Sequence, residues 1–234
     1  MNRALLVREL GLVSYGEALD LQRRLAQERI AGTIPDTLLL LEHPPVVTLG
    51  RGWKSSSLPV EPDALRARGI EVHEIERGGD VTYHGPGQLV GYPIFDLQQH
   101  RTDLHWYLRQ LEEALIAALG GLGIPAERSA GYTGVWTAGR KIASIGIHVR
   151  QWVTWHGFAL NVTTDLSAFD LIVPCGIQDV VMTSVVKQLA DRGRTMEDGE
   201  DMARTREAVV AAFARVFQFA RVDREGGVRV GPLG

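Results

Sequence analysis

The chain of 234 residues contains a single cysteine, Cys175. It can form no internal disulfide, and a cysteine-rich zinc site is excluded. No apolar run approaches the roughly 18 residues that a membrane-spanning helix needs, so no membrane partner is expected. The opening stretch MNRALLVRELG has one short apolar segment and no cleavage-site pattern, which makes the cytoplasm the expected compartment. Neither sign of charge dominates, with 25 Lys and Arg against 28 Asp and Glu and a formal net charge of −3. No global field attracts nucleic acid, and none is expected as a partner. The histidines show no HxxxH or HExxH spacing, so no metal is expected. Internal repeats, low-complexity tracts and linker-like stretches are also missing.

What is there, 45% hydrophobic and 23% charged residues, suits one compact unit. Residues 4–7 read as a strand. Ser14 and Glu17 fit a capping box, opening a helix with Leu21, Leu25 and Ile30 on one face. Residues 38–42 and 46–49 read as strands split by His43-Pro44-Pro45. Residues 51–62, with three serines in a row, read as an exposed loop. A short helix at 63–68 and a strand at 70–75 lead into a glycine-rich stretch, which 89–97 leaves as a strand. Over 103–122, leucines at 104, 108, 111, 115, 119 and 122 form one helical face. Residues 132–162 are rich in β-branched and aromatic residues and read as an antiparallel meander. An irregular segment at 166–180, helices at 183–190 and 198–219, and a loose end follow.

Three stretches carry candidate chemistry. In RGGDVTYHGPGQ, residues 77–88, bare glycine backbone can approach a ligand closely while polar side chains orient it. A hairpin with a Gly-Pro turn explains the same composition equally well. No Gly-Lys-Ser/Thr follows, and a strand rather than a helix comes next, so no phosphate cradle is expected. In GRKIASIGIHV, residues 139–149, alternation places Lys141, Ala143, Ile145 and Ile147 on one face and Ile142, Ser144, Gly146 and His148 on the other. Lys141 either snorkels to water or sits partly desolvated, poised to exchange a proton near neutral pH. In VPCGI, Pro174 and Gly176 hold Cys175 on a defined turn. A small buried hydrophobe and a thiolate stabilised by a nearby ammonium both remain open, because spacing alone does not bring Lys141 to Cys175.

RGGDVTYHGPGQLVGYPI, GRKIASIGIHVRQWVTWHGFALNV and the Pro-Cys-Gly-Ile turn together resemble the lipoyl/octanoyl transferases of protein lipoylation, octanoyl-[acyl-carrier-protein]:protein N-octanoyltransferases. The resemblance runs in order over residues 38–189. It implies an α+β fold, a mostly antiparallel sheet with packed helices, similar to the catalytic domain of biotin and lipoate protein ligases. The interspersed strands and helices agree with that class. It implies that residues 1–234 are a single octanoyltransferase catalytic domain, an acyltransferase acting as a monomer. Cys175 becomes the acyl-thioester nucleophile and Lys141 the residue that favours its thiolate. The substrate-binding residues map onto Arg77, Gly78, Gly79, Asp80, Val81, Thr82, Tyr83 and His84, then Ser144, Ile145 and Gly146, then Gly157, Phe158 and Ala159.

The implied donor is octanoyl-acyl-carrier protein. The implied acceptors are the lipoyl domains of 2-oxoacid dehydrogenase complexes and the glycine-cleavage carrier protein. No cofactor is called for. Lys141 is the expected base for the acceptor amine, with His84 second, and the oxyanion is expected to meet backbone N–H groups near Gly146 or the 175–176 turn. An acidic carrier implies a basic docking patch, expected at Arg140, Lys141 and Arg150. One alternative is an ATP-dependent lipoate or biotin protein ligase on the same fold, another a non-covalent acyl-binding module. Neither requires a nucleophile at Cys175.

Overall fold

The computed structural model describes residues 3–176, 180–195 and 199–225, without the side chain of Cys175. The chain opens with β1 (Ala4–Leu12) and α1 (Tyr15–Ile30). Ser14 caps α1 by accepting from the Glu17 N–H, and its hydroxyl donates to the Glu17 carboxylate at 2.6 Å. The reciprocal half of the box thus closes on the hydroxyl rather than on the backbone. The buried stripe of α1 is Tyr15, Ala18, Leu19, Gln22, Leu25, Ala26 and Arg29. Ile30 faces out at the helix end. Next come β2 (Asp36–Glu42), β3 (Val46–Leu49), α2 (Pro62–Arg66), β4 (Glu71–Glu74), β5 (Val81–His84) and β6 (Gln88–Ile94). Asp103 caps α3 (Leu104–Gly121) by accepting from the Trp106 N–H at 3.0 Å. The meander is β7 (Val135–Thr137), β8 (Arg140–Arg150) and β9 (Val153–Asn161). Then follow α4 (Val185–Ala190), α5 (Asp201–Val216) and β10 (Arg221–Glu225).

A seven-stranded sheet runs β10-β1-β2-β6-β9-β8-β7, and a three-stranded sheet runs β4-β3-β5. β1 is parallel to both its neighbours, as β3 is to β4, and the other pairs are antiparallel. The fold is therefore α+β with a mainly antiparallel, mixed sheet. β2 shows why the large sheet needs cover on both faces. Leu38 and Leu40 enter a core with α3 and α5, while Leu39 and Leu41 enter another with α1. Successive strand residues point to opposite sides, so an uninterrupted leucine run marks a strand buried twice. The small sheet has its own core of Val47, Leu49, Val81, Tyr83, Phe169 and Met182.

Some expectations change. Within residues 51–62, a 3₁₀ turn buries Ser57 and Leu58, because they pack under the segment that carries Cys175. The last described strand, β10, continues the chain after α5 along β1. The stretch read as a loose end, 226–234, and residue 198 of the expected 198–219 helix lie outside the described residues; Gly199 and Glu200 form a turn, and α5 begins at Asp201. A further change concerns Lys141 and belongs to the site.

Candidate active site

The glycine-rich stretch bridges the two sheets. β7 pairs β8 only as far as Ala143, and residues 76–78 lie along the edge left open. There the Gly78 N–H donates to the Ile147 carbonyl at 2.9 Å, and His148 Nδ1 meets the Glu76 carbonyl at 3.1 Å. The approach is too close for side chains: a Cβ on Gly146 would lie 2.9 Å from the Gly78 oxygen. Arg77 turns inward and its Nη2 donates to the Thr48 carbonyl and hydroxyl, both at 2.8 Å.

Between the sheets lies a narrow cleft of about 40 Å³. All of the expected substrate-binding residues line it except Gly78, Val81 and Tyr83. Alternation along β5 explains the last two: Thr82 and His84 face the cleft, while Val81 and Tyr83 enter the small sheet's core, with Tyr83 edge-on to Phe169 at 5.7 Å. Gly78 serves through its backbone. Phe158 contributes little but main chain, since its ring packs 5.5 Å from Phe213 on the other side.

Lys141 is fully buried. Simple alternation placed it with Ala143, Ile145 and Ile147, and the structure corrects this. Val135 faces Ala143 and Trp136 faces Lys141, so β8 holds one extra residue, Ile142, between those pairs. The bulge lets Ile142 and Ala143 both enter the α3/α5 core. Lys141, opposite Trp136, falls into phase with Ser144 and Gly146. Its Nζ lies 5.0 Å from the Trp136 ring centroid, a cation–π distance. Its backbone exchanges hydrogen bonds with the strand-like segment after the cysteine turn, N–H to Val181 and carbonyl from Thr183, both at 2.9 Å.

Cys175 sits in a single 3₁₀ turn, Pro174–Gly176, packed on β5. The turn is pinned from two sides. The Val173 N–H donates to the Ser57 carbonyl at 2.9 Å, and Gly176, at φ +66°, presses on Asp80 so closely that a Cβ would lie 2.4 Å from its Oδ2. That oxygen accepts from the Ser57 hydroxyl at 2.6 Å. The Gly176 N–H is engaged with the Val173 carbonyl at 3.0 Å, so it is not the free oxyanion donor expected there.

Under the cleft lies a polar floor that sequence reasoning missed. Tyr15, Tyr92 and His156 line the cleft, with His43 behind them. His43 contacts the Val13 carbonyl through Nδ1 and the Tyr92 hydroxyl through Nε2, both at 2.7 Å. Burial depresses all three histidines from 6.5: His43 to about 4, His84 to about 3 and His156 to about 3. Burial likewise raises both tyrosines. At neutral pH the floor is uncharged apart from Arg77. Beside it, burial works to raise Glu76, but the hydrogen bond from Arg23 and further donors bring it down to about 2. His156 has φ +55° inside β9. This backbone conformation is unusual for a side chain of this size within a strand.

The tautomer of His84 follows from its partners. The Asn161 amide donates to the Thr183 carbonyl at 3.1 Å, which fixes Asn161 Oδ1 as an acceptor. Gln88 Nε2 donates to that oxygen at 3.0 Å and to the Tyr83 carbonyl at 3.2 Å. Gln88 Oε1 is therefore the acceptor 2.7 Å from His84 Nδ1, and the proton of the neutral ring sits on Nδ1. Nε2 keeps its lone pair.

The lipoyl protein ligase A/B catalytic domain family matches residues 14–218. The chain belongs to this family. Curated relatives named octanoyltransferase include one from Gloeobacter violaceus, 53% identical over 93% of this chain and 91% of its own, and one from Nostoc sp., 48% identical over 95% and 96%. The chain is accordingly an enzyme, an acyltransferase of the lipoyl protein ligase A/B family. Solved structures with the same fold include a lipoate-protein ligase A bound with ATP, at TM-score 0.67 and 18% identity over 97% of this chain and 89% of that one. Another is P. falciparum LipL1 in complex with lipoate, at TM-score 0.69 and 13% identity over 94% and 66%.

The expected basic docking patch does not form within this family member as read. Arg140 is paired with Asp191 at 2.8 Å, Lys141 is buried, and Arg150 lies at the far end of an 11-residue strand, roughly 33 Å away at ~3.3 Å per residue. Arg150 instead borders a surface hollow of about 570 Å³ with Arg23, Arg51 and Trp155. Among the described residues no group of three or more His, Cys, Asp or Glu is placed to hold a metal, and no helix is long and apolar enough to cross a membrane.

Proposed function

We propose that the chain moves an octanoyl or lipoyl group from acyl-carrier protein to a specific lysine of a lipoyl domain, through a thioester on Cys175. The observation that carries this reading is a convergence at one cleft. Glycine-rich backbone forms its wall, the strand bearing buried Lys141 forms its side, and the turn bearing the lone cysteine is clamped to its rim. The relatives named octanoyltransferase support the acyl group.

The Cys175 thiolate, paired with the Lys141 ammonium, attacks the carbonyl carbon of the donor thioester. The bond to the carrier's pantetheine sulfur breaks, and that sulfur leaves with a proton from Lys141. Lys141 is now neutral. The acceptor amine, having lost one proton to solvent, attacks the new thioester and gives a second proton to Lys141. The amide forms, the Cys175–acyl bond breaks, and the thiolate–ammonium pair is restored. Neither nucleotide nor metal enters the cycle, and residues 1–234 act as one catalytic domain.

The test is intact mass after incubation with octanoyl-acyl-carrier protein, without ATP, followed by a lipoyl domain. The expected result is one octanoyl adduct that the lipoyl domain discharges and that Cys175→Ala never acquires. Full transfer by Cys175→Ala, or transfer only from free octanoate plus ATP, would refute the acyl-enzyme.

A further inference from the structure

A carboxylate lines the cleft beside the cysteine turn, and among the described residues its hydrogen-bond donors are neutral. Asp80 Oδ1 accepts from the Val81 N–H at 2.8 Å and Oδ2 from the Ser57 hydroxyl at 2.6 Å. Arg77 lines the same cleft but turns its Nη2 to Thr48, and no salt bridge to Asp80 is formed among the described residues. Each oxygen keeps acceptor capacity beyond these neutral donors. Two residues on, Thr82 also lines the cleft, and its Oγ1 is buried with no hydrogen-bond partner. A buried polar atom left unpaired costs stability unless something arrives to meet it. Carboxylate and hydroxyl face the same space, and Asp80 touches the turn that holds the nucleophile.

We propose, building on the acyl-transfer reading, that Asp80 and Thr82 form the docking point for the ammonium of the acceptor lysine. An ammonium has three donors and no acceptor. Asp80 takes one in a charge-assisted hydrogen bond and Thr82 Oγ1 takes another. The third hydrogen is the proton released to solvent before attack. A cation is thus drawn to the thioester only in the second half-reaction, when an amine is required. The donor thioester has no cation at its carbonyl and makes no use of the pair. Asp80 exchanges no atoms.

The experiment loads the enzyme with octanoyl on Cys175, then discharges it with either a lipoyl domain or hydroxylamine, which is neutral at pH 7.5. The readout is the ratio of the two rates. In Asp80→Asn, which retains an acceptor for the Val81 N–H and a polar partner for Ser57, the ratio falls at least about tenfold, and Asp80→Glu restores part of it. Ser57→Ala removes the clamp but not the charge and leaves the ratio near that of wild type. On the wild-type enzyme, butylammonium competes with the lipoyl domain and butanol does not. An unchanged ratio in Asp80→Asn, an equal fall in Ser57→Ala, or equal competition by butanol overturns the assignment alone. Absence of any adduct on the wild-type enzyme overturns the acyl-enzyme reading and the assignment with it.

Discussion

The histidine floor makes stability acid-sensitive in a window that can be calculated. His43, His84 and His156 are held neutral, with folded values of about 4, 3 and 3 against 6.5 unfolded. Between those values the unfolded chain binds protons that the folded one refuses. Stability from this source is complete above 6.5 and falls as the pH drops toward 4. At about pH 5.5 each unfolded histidine gains about 1.4 kcal/mol from protonation and each folded one almost nothing, so the three together cost roughly 4 kcal/mol. That is a large share of the ~5–15 kcal/mol by which a typical domain is stable. Glu76 does not confuse the window: its depressed value, about 2, adds stability that is present above 4.5 and lost only below it. Urea unfolding followed by tryptophan fluorescence at about pH 8 and 5.5 gives the difference directly. Replacing His43 and His84 by Gln should cut it to about a third. A difference below ~1 kcal/mol, or one the double variant leaves unaltered, refutes the account.

Gly157→Ala places a Cβ 2.2 Å from the Gly91 carbonyl oxygen, and because backbone in the central strands cannot step aside, the urea midpoint should drop by the equivalent of ~2–3 kcal/mol. Gln88→Leu strips His84 Nδ1 and Asn161 Oδ1 of their buried partners and should cost ~1–3 kcal/mol for each group left unpaired, read from the same unfolding curves. Lys141→Ala should slow acyl loading of Cys175, with the loss partly relieved at high pH where the thiol ionises unaided. A loading profile identical in shape to wild type removes Lys141 from that role.

Much of the fold was legible wherever side chains repeat with a period. The leucine face of α3 and the β8–β9 meander are of this kind, since a stripe of one chemistry fits only one backbone. β10 was not legible, because RVDRE is an edge strand with its side chains largely in water and carries no apolar alternation. The face of Lys141 was unreadable for a different reason: the bulge at Ile142 is a matter of pairing with β7, which no local pattern encodes. Ser57 and Leu58 looked exposed because their cover, the cysteine turn, arrives more than a hundred residues later. Of the cleft, the segments recognised by their motifs came together, whereas Tyr15, His43 and Tyr92 lie in separate segments that carry no site motif and signal nothing. His156 alone left a trace, a histidine before glycine in a mostly apolar strand.

The placement of β10 has a consequence for synthesis. β1, made before the other described strands, ends up between β2 and β10, and Ala220 donates its N–H to the Arg3 carbonyl at 2.9 Å. One side of β1 therefore stays unpaired until the last described strand emerges, a wait of roughly 10–40 s at about 5–20 residues per second. During that interval an open strand edge is a template for pairing with other chains. Nascent chains halted before Arg221 should associate through β1, and the charged residues Arg8 and Glu9 near the end of that strand are placed to discourage it.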